Sequence, residues 1–241
     1  MSRYVSLANK LLRLPAKLFD RCRERGLLET CDWLLYQGTS RFREWRLGIQ
    51  TGEFDGLQVG DEGDHHGYEP VEFRCFDLIM QRLAVRPGKD VFLDYGCGKG
   101  RAVVLAATYP YRRVLGLELS PELCEIARQQ VKRAYNKLHC REVEILQADA
   151  ALFPLPDDVN HVFLFNSFKG EVLQGTLEQV RQSLVRVPRT LSLVYMIPTD
   201  QDDPLAQLSW LEYRSEISTG FWNHIKCHYY EHKPSQDGDA V

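Results

Sequence analysis

The sequence predicts an α/β fold, a doubly wound and mostly parallel sheet preceded by a helical extension. Three observations lead there. From residue 70 onward, short apolar runs alternate with stretches of helical periodicity. The stretch FLDYGCGKGRAVVLAA, Phe92–Ala107, joins one such run to a helix through Gly96, Gly98 and Gly100. Acidic residues stand where the first three runs end: Asp94, Glu118 and Asp149.

The elements follow in order. In residues 1–50, Leu7, Leu11, Leu14, Leu18 and Leu27 recur at roughly helical spacing with basic residues between them. This predicts a basic amphipathic extension of about two helices, broken near Pro15 and Gly26. A cap packed on the main domain is the favoured reading of it, and a membrane-surface or partner-binding helix is the alternative. Residues 51–69 form an acidic, glycine-rich connector or lid. Residues 70–232 form the main domain, and 233–241 a polar tail expected to fray. Within the main domain, Phe76, Ile79, Met80 and Leu83 mark one helix face, and RPGKD at 86–90 a turn. Val91–Asp94 is a short buried strand, followed by the glycine loop and a helix to about Thr108. RVLGLEL is a second strand ending at Glu118. Ser120-Pro121 then supplies an N-cap and a first-turn proline. Leu123, Ala127, Val131, Ala134 and Leu138 mark the buried stripe that follows. VEILQAD is a third strand ending at Asp149, and HVFLF a fourth, followed by Asn166. Leu173, Leu177, Val180 and Leu184 predict a helix stopped by Pro188, and TLSLVYMI a fifth strand. WLEYRSEIS and NHIKCHYYEH follow with only a short link between them, which predicts an antiparallel pair closing the sheet.

Composition bounds the function. The 241 residues are 44% hydrophobic and 26% charged, enough for one sizeable folded domain. The net charge of −3 argues against nucleic acid as an obligate partner. That charge is uneven: residues 1–50 carry ten Lys or Arg against five acids, so the remainder holds a net −8. The seven cysteines are odd in number and contain no CxxC pair. They read as free thiols in a reducing compartment, and a cytoplasmic location is expected. No long uncharged apolar run suggests a spanning helix, and Lys and Arg interrupt the N-terminus too often for a signal peptide.

The glycine loop raises the question of its ligand. Gly96 permits a tight turn, Gly98 lets a ligand approach the backbone, and Gly100 lets the helix start close to the strand. The helix N-terminus offers N–H groups to an anion. A dinucleotide fingerprint would place its third glycine at Arg101, and a phosphate-binding GxxxxGK[ST] loop is absent. Glu118 can accept both hydroxyls of a ribose and would repel a ribose phosphate. Asp149 can accept an adenine amino group. Together these favour a cofactor with a carboxylate, a ribose and an adenine but no phosphates.

At these residues the chain resembles the class I S-adenosylmethionine (SAM)-dependent methyltransferase family, from about Tyr68 to Pro198. LDYGCGKG is similar to the family's first motif, GLELSPE to its acidic second-strand motif, and LQADA to its adenine-contacting motif. The resemblance implies a seven-stranded Rossmann-like sheet with an antiparallel last strand. It implies SAM as cofactor, S-adenosylhomocysteine as product, and no metal. It places Asp94, Gly96, Cys97, Gly98 and Gly100 at the methionine end of the cofactor. Glu118 and Leu119 fall at its ribose, and Asp149 and Ala150 at its adenine. GYEP at 67–70 resembles a segment that closes over the methionine part in some bacterial and protein-lysine members, which implicates Tyr68. Members that methylate nitrogen often carry Asn-Pro-Pro-aromatic after the fourth strand; here the residues are Asn166-Ser167-Phe168. Asn166 is thus the candidate for orienting an acceptor amine and for a cofactor contact, with capping of the next helix as its alternative role. The implied reaction is methyl transfer to an unidentified acceptor, a protein or a small molecule. The alternatives are an NAD(P)-binding oxidoreductase and a non-catalytic SAM-binding scaffold.

The remaining candidates read as structure. Cys97 is expected to pack under the loop, although a helix N-terminus can lower a thiol pKa. His65 and His66 lack metal-ligand spacing. His224 and His228 share one strand face, expected to be exposed.

Overall fold

The computed structural model describes residues 22–23, 26–52, 69–217 and 225–234. Tyr68, His65, His66, His224, the break at Pro15 and nearly all of the connector lie outside them. The chain divides into two compact units between Arg46 and Leu47. The first contains all but the last residue of helix α1, Leu27–Leu47. Gly26 precedes α1 with φ +86°, in the left-handed region that interrupts a helix at the predicted place.

The second unit opens with α2, Phe73–Leu83. Phe73, Phe76, Ile79, Met80 and Leu83 are buried at three- and four-residue spacing, so one face of α2 meets the sheet. The Glu72 side chain caps it, accepting the Cys75 N–H at 2.9 Å. Strand β1, Val91–Tyr95, is buried at every position. Its start is fixed by Asp90, which accepts from the Arg86 guanidinium at 2.6 Å and from Asn160 Nδ2 at 2.6 Å. Asn160 in turn accepts the Val91 N–H at 2.8 Å. Helix α3 is Arg101–Ala107, β2 Arg113–Glu118, α4 Pro121–Ala134, β3 Val143–Gln147 and β4 His161–Phe165. Helix α5, Gly170–Arg186, β5, Leu191–Pro198, β6, Glu212–Glu216, and β7, Ile225–His232, complete the fold. Ser120 caps α4 through the Leu123 N–H at 3.3 Å, with Pro121 in the first turn.

The seven strands form one sheet in the order β3-β2-β1-β4-β5-β7-β6. The first five are parallel, β7 is antiparallel to β5, and β6 is antiparallel to β7. The expected mostly parallel, doubly wound sheet with a reversed closing strand is the observed one. Side chains alternate between its faces. Phe92, Phe163 and Val194 pack with α2, α3 and α4, whereas Leu93, Leu115 and Leu164 pack with α5. Phe76 stands edge-on to Phe92 and Phe163, with ring centroids 6.1 and 5.8 Å away. Such pairs add to the burial that docks α2. The strand order reverses between β1 and β4, and the crevice beyond their carboxyl ends is where an open sheet of this kind binds ligands.

Two boundaries differ from the sequence reading. Strand β3 stops at Gln147, two residues before Asp149. Asp149 instead accepts the Ala151 N–H on Oδ1 at 2.9 Å, and this side-chain turn takes the chain out of the sheet. At α5 the capping position is Lys169, so Asn166 is not the helix cap.

Candidate active site

The glycine loop is fastened to β2 before it reaches α3. The N–H groups of Gly96 and Cys97 both donate to the Leu117 carbonyl at 2.8 Å. The Gly98 N–H donates to Glu118 Oε2 at 2.9 Å, and the Ser120 N–H to Glu118 Oε1 at 2.9 Å. One buried carboxylate thereby bridges the loop and the start of α4, and each oxygen keeps acceptor capacity for a further donor.

The glycines are required for different reasons. Gly96 has φ +72°, and a Cβ there would lie 2.5 Å from both Cβ and Oγ of Ser167. Gly98 has φ +52°. Gly100 has φ +81°, and a Cβ there would lie 3.0 Å from the Ala127 Cβ. Its neighbour is therefore helix α4, not the strand expected from the sequence. Cys97 is buried beneath the loop, where its Sγ would be 2.9 Å from a Cβ on Gly116. Burial, with the charges of Asp94 and Glu118 added, pushes its thiol pKa well up, opposite to the direction a helix N-terminus would give. It is a packing residue.

Asp94 is the electrostatic centre of the site. It is 4% exposed, and burial first, with the Glu118 charge second, pushes its carboxyl up to about 8. Among the described residues no Lys, Arg or His forms an ion pair with it. A small cleft of about 30 Å³ brings Asp94, Gly96 and Cys97 together with Glu69, Pro70, Arg101, Phe163 and Phe165. A larger hollow of about 440 Å³ between α4 and β3 is lined by Arg128, Lys132, Tyr135 and neighbours. It contains none of the loop residues or strand-end acids, so the smaller cleft is the one tied to the loop.

Leu119 and Asp149 flank the adjacent ends of β2 and β3. Glu118 is opposite Gln147 in the ladder, and its carbonyl accepts the Ala148 N–H at 3.1 Å. Leu119 is 47% exposed, an apolar surface available for contact, while Ala150 is buried behind the Asp149 turn. Beyond β4, the Asn166 N–H donates to the Met196 carbonyl at 2.8 Å, with φ held at +41°. Asparagine tolerates this left-handed conformation better than most residues. Ser167 donates to the Tyr95 carbonyl at 2.8 Å and stands next to it on the Gly96 turn. A proline in its place has no hydroxyl to make that link. Phe168 is buried under α5.

Arg101 is more than a missing glycine, which is all the sequence reading took from it. It is 3% exposed; its Nε donates to Thr51 Oγ1 at 2.7 Å and an NH group to the Val71 carbonyl at 3.1 Å. Its guanidinium lies 4.8 Å over the Phe73 ring. The first residue of α3 thus holds two segments distant in sequence against the loop. The only sequence signal for this was an arginine where a small residue would serve. His228 also departs from expectation. Its Nδ1 pairs with Asp203, which also accepts from Tyr230, and the Tyr213 ring stands edge-on at 5.6 Å. Its strand face is covered, not exposed. Among the described residues no cluster of His, Cys, Asp or Glu is arranged to hold a metal ion.

Comparison with known proteins agrees with this geometry. Residues 92–188 match the family model described as Methyltransferase domain. Ribosomal protein L11 methyltransferase of Burkholderia cenocepacia is 37% identical over 67 residues, 28% of this chain and 21% of that protein. The corresponding protein of Burkholderia ambifaria is 37% identical over 72 residues, 30% of this chain and 23% of its own. The matched region spans about a fifth of the length of these curated relatives. Among solved structures, an RNA methyltransferase from Salinibacter ruber in complex with S-adenosyl-L-homocysteine superposes with a TM-score of 0.52 at 19% identity, covering 72% of this chain and 99% of that one. That likeness concerns the fold. The strand order, the glycine loop tied to a strand-end glutamate and the match of residues 92–188 to the methyltransferase-domain model make this part of the chain similar to the methyltransferase domains of these proteins.

Proposed function

We propose that this protein transfers a methyl group from SAM to an amine nitrogen. The observation that carries the proposal is the buried Asp94, in an ion pair with no cation among the described residues, set in the cleft with Gly96 and within reach of the Glu118 charge. A carboxyl that burial keeps protonated near neutrality is a receptor for a ligand that brings its own positive charge. The residues present fit SAM: Asp94 would hold its cationic methionine end and Gly96–Gly100 would approach it along the backbone. Glu118 would take the ribose hydroxyls, and Leu119, Asp149 and Ala150 would border the adenine. When bound, SAM supplies a methyl already activated on a positively charged sulfur.

The protein's part is alignment and exclusion of water. Phe163, Phe165 and Pro70 wall the cleft with apolar surface. Asn166, set at the end of β4 in a constrained conformation, would direct its side-chain oxygen to an N–H of the acceptor. The acceptor would react as the neutral amine: one that arrives as ammonium gives a proton to solvent beforehand, and the methylated ammonium product can give a second one to solvent afterwards. The cleft also takes in Glu69 and the buried Arg101. Protein lysines and small amines are both acceptors of the proposed kind. The seven cysteines, all free, support a cytoplasmic location.

A thermal-shift panel followed by incubation of radiolabelled SAM with size-fractionated lysate tests the reading. Stabilisation by SAM and S-adenosylhomocysteine is expected, with Glu118→Ala weakening SAM binding by about 1–3 kcal/mol. Stabilisation by NAD or NADP alone would replace the reading with an oxidoreductase. SAM binding with no label transferred to any fraction would leave a binding scaffold. Unchanged turnover in Asn166→Ala would remove Asn166 from the reaction.

A further inference from the structure

Among the described side chains of helix α1, several large apolar ones meet solvent. Leu27, Leu34, Leu35, Phe42 and Trp45 are 67, 41, 66, 58 and 75% exposed, while the hydroxyl residues Thr30 and Ser40 are 4 and 9% exposed. At about 100° per residue the five exposed apolar side chains fall within an arc of roughly 100°. They make a continuous stripe along a helix of 21 residues. Phe42 and Trp45 form its C-terminal end as a ring pair with centroids 5.8 Å apart. Arg41 and Arg46, both exposed, sit about 20° outside the two edges of the stripe. Solvated apolar surface of this extent and continuity marks a docking face.

We propose that α1 lays this stripe on an anionic lipid bilayer, with its axis in the plane of the surface. Three features select that occupant. The stripe carries an aromatic pair with a tryptophan, the side chain that sits best where headgroups meet acyl chains. Arginines border it on both sides, where their charge reaches lipid phosphates while their stems lie along the apolar boundary. The positive charge precedes the helix in the chain: residues 1–26 carry seven Lys or Arg against two acids, α1 is balanced with three Arg against three acids, and residues 51–241 are net −8 and repelled by the same surface. The attraction therefore belongs to the residues that lead into α1 and to the two arginines that border the stripe. Among the described residues no helix is long and apolar enough to cross a membrane, so α1 lies on the bilayer and does not span it. The inference does not depend on the methyl-transfer reading.

Cosedimentation of the full chain with vesicles tests it. Binding to phosphatidylcholine–phosphatidylglycerol vesicles is expected, weakening with added salt and much lower on phosphatidylcholine alone. The Phe42→Ser/Trp45→Ser variant loses at least roughly tenfold in vesicle affinity. The Arg41→Gln/Arg46→Gln variant, which keeps the apolar face, loses roughly fivefold per arginine and part of the salt dependence. Both variants keep the parent melting temperature. Absence of binding to the anionic vesicles, or equal binding by the Phe42/Trp45 variant, overturns the proposal. So does a dimer in solution that the Phe42/Trp45 variant dissolves, because a second copy would then cover the stripe.

Discussion

If Asp94 receives the cationic end of the cofactor, binding must ionise it and expel a proton. Its carboxyl sits near a pKa of about 8 in the free protein, raised by burial and then by Glu118. At pH 7 about nine-tenths of the molecules hold that proton, so binding releases about 0.9 proton per site. Between pH 7 and 6 the competent fraction falls about ninefold, and SAM affinity falls with it, by roughly 1.3 kcal/mol. An ordinary α-amino group titrates near 8, so the ligand's own amine changes little over that interval. Calorimetry in two buffers of different ionisation enthalpy reads the proton release directly. Asp94→Asn, nearly isosteric and uncharged, removes both the release and the pH slope. The free protein supplies an independent check on sign. Folded Asp94 keeps a proton that the unfolded chain has lost, so its contribution to stability falls as pH rises from about 4 to about 8. Asp94→Asn flattens that fall. Buffer-independent binding enthalpy at pH 7, or the same pH slope in Asp94→Asn, would refute the assignment of Asp94 to the cationic end.

Two further predictions rest on the same unit. Gly96→Ala places a Cβ 2.5 Å from Ser167 at φ +72°, so it combines left-handed strain with overpacking. A loss of about 2–4 kcal/mol in urea unfolding is expected, and Ser167→Gly in the same chain recovers part of it. His161 is pulled down to about 4, mainly by burial, beside Tyr111 at 2.8 Å and Asp90 at 3.9 Å. The folded chain then binds fewer protons than the unfolded one between the ordinary histidine value and about 4. Stability is lost as pH falls through that window, by about 3 kcal/mol in total, and His161→Phe flattens the profile measured by urea melts from pH 7 to 4.

The elements were legible because their signals are local. The alternation of Phe92 and Leu93 between two cores, the Ser120-Pro121 start of α4 and the reversal implied by the short final link are properties of neighbouring residues. The order of acids after β1, β2 and β3 was visible for the same reason, and Glu118 reaches the loop where the spacing placed it. Tyr68 lies outside the described residues, and the structure brings no evidence to it. The misread details were those set by partners far along the chain. Gly100 is needed because Ala127 is there, and Gly96 because Ser167 is there. Arg101 became a buried tie to Thr51 and Val71, and His228 a covered partner of Asp203. The packed cap favoured for the extension rested on Leu7, Leu11, Leu14, Leu18 and Leu27, of which only Leu27 lies in α1; periodicity marks an apolar face without saying what covers it. The sequence by itself determined the α/β architecture, the glycine loop and the order of strand-end acids from which the cofactor was read, since these depend on spacing, glycine placement and strand-end charge. Tertiary structure decided how buried Asp94 is, what each glycine must avoid and which faces meet solvent, because desolvation and steric contact are set by residues brought together only on folding.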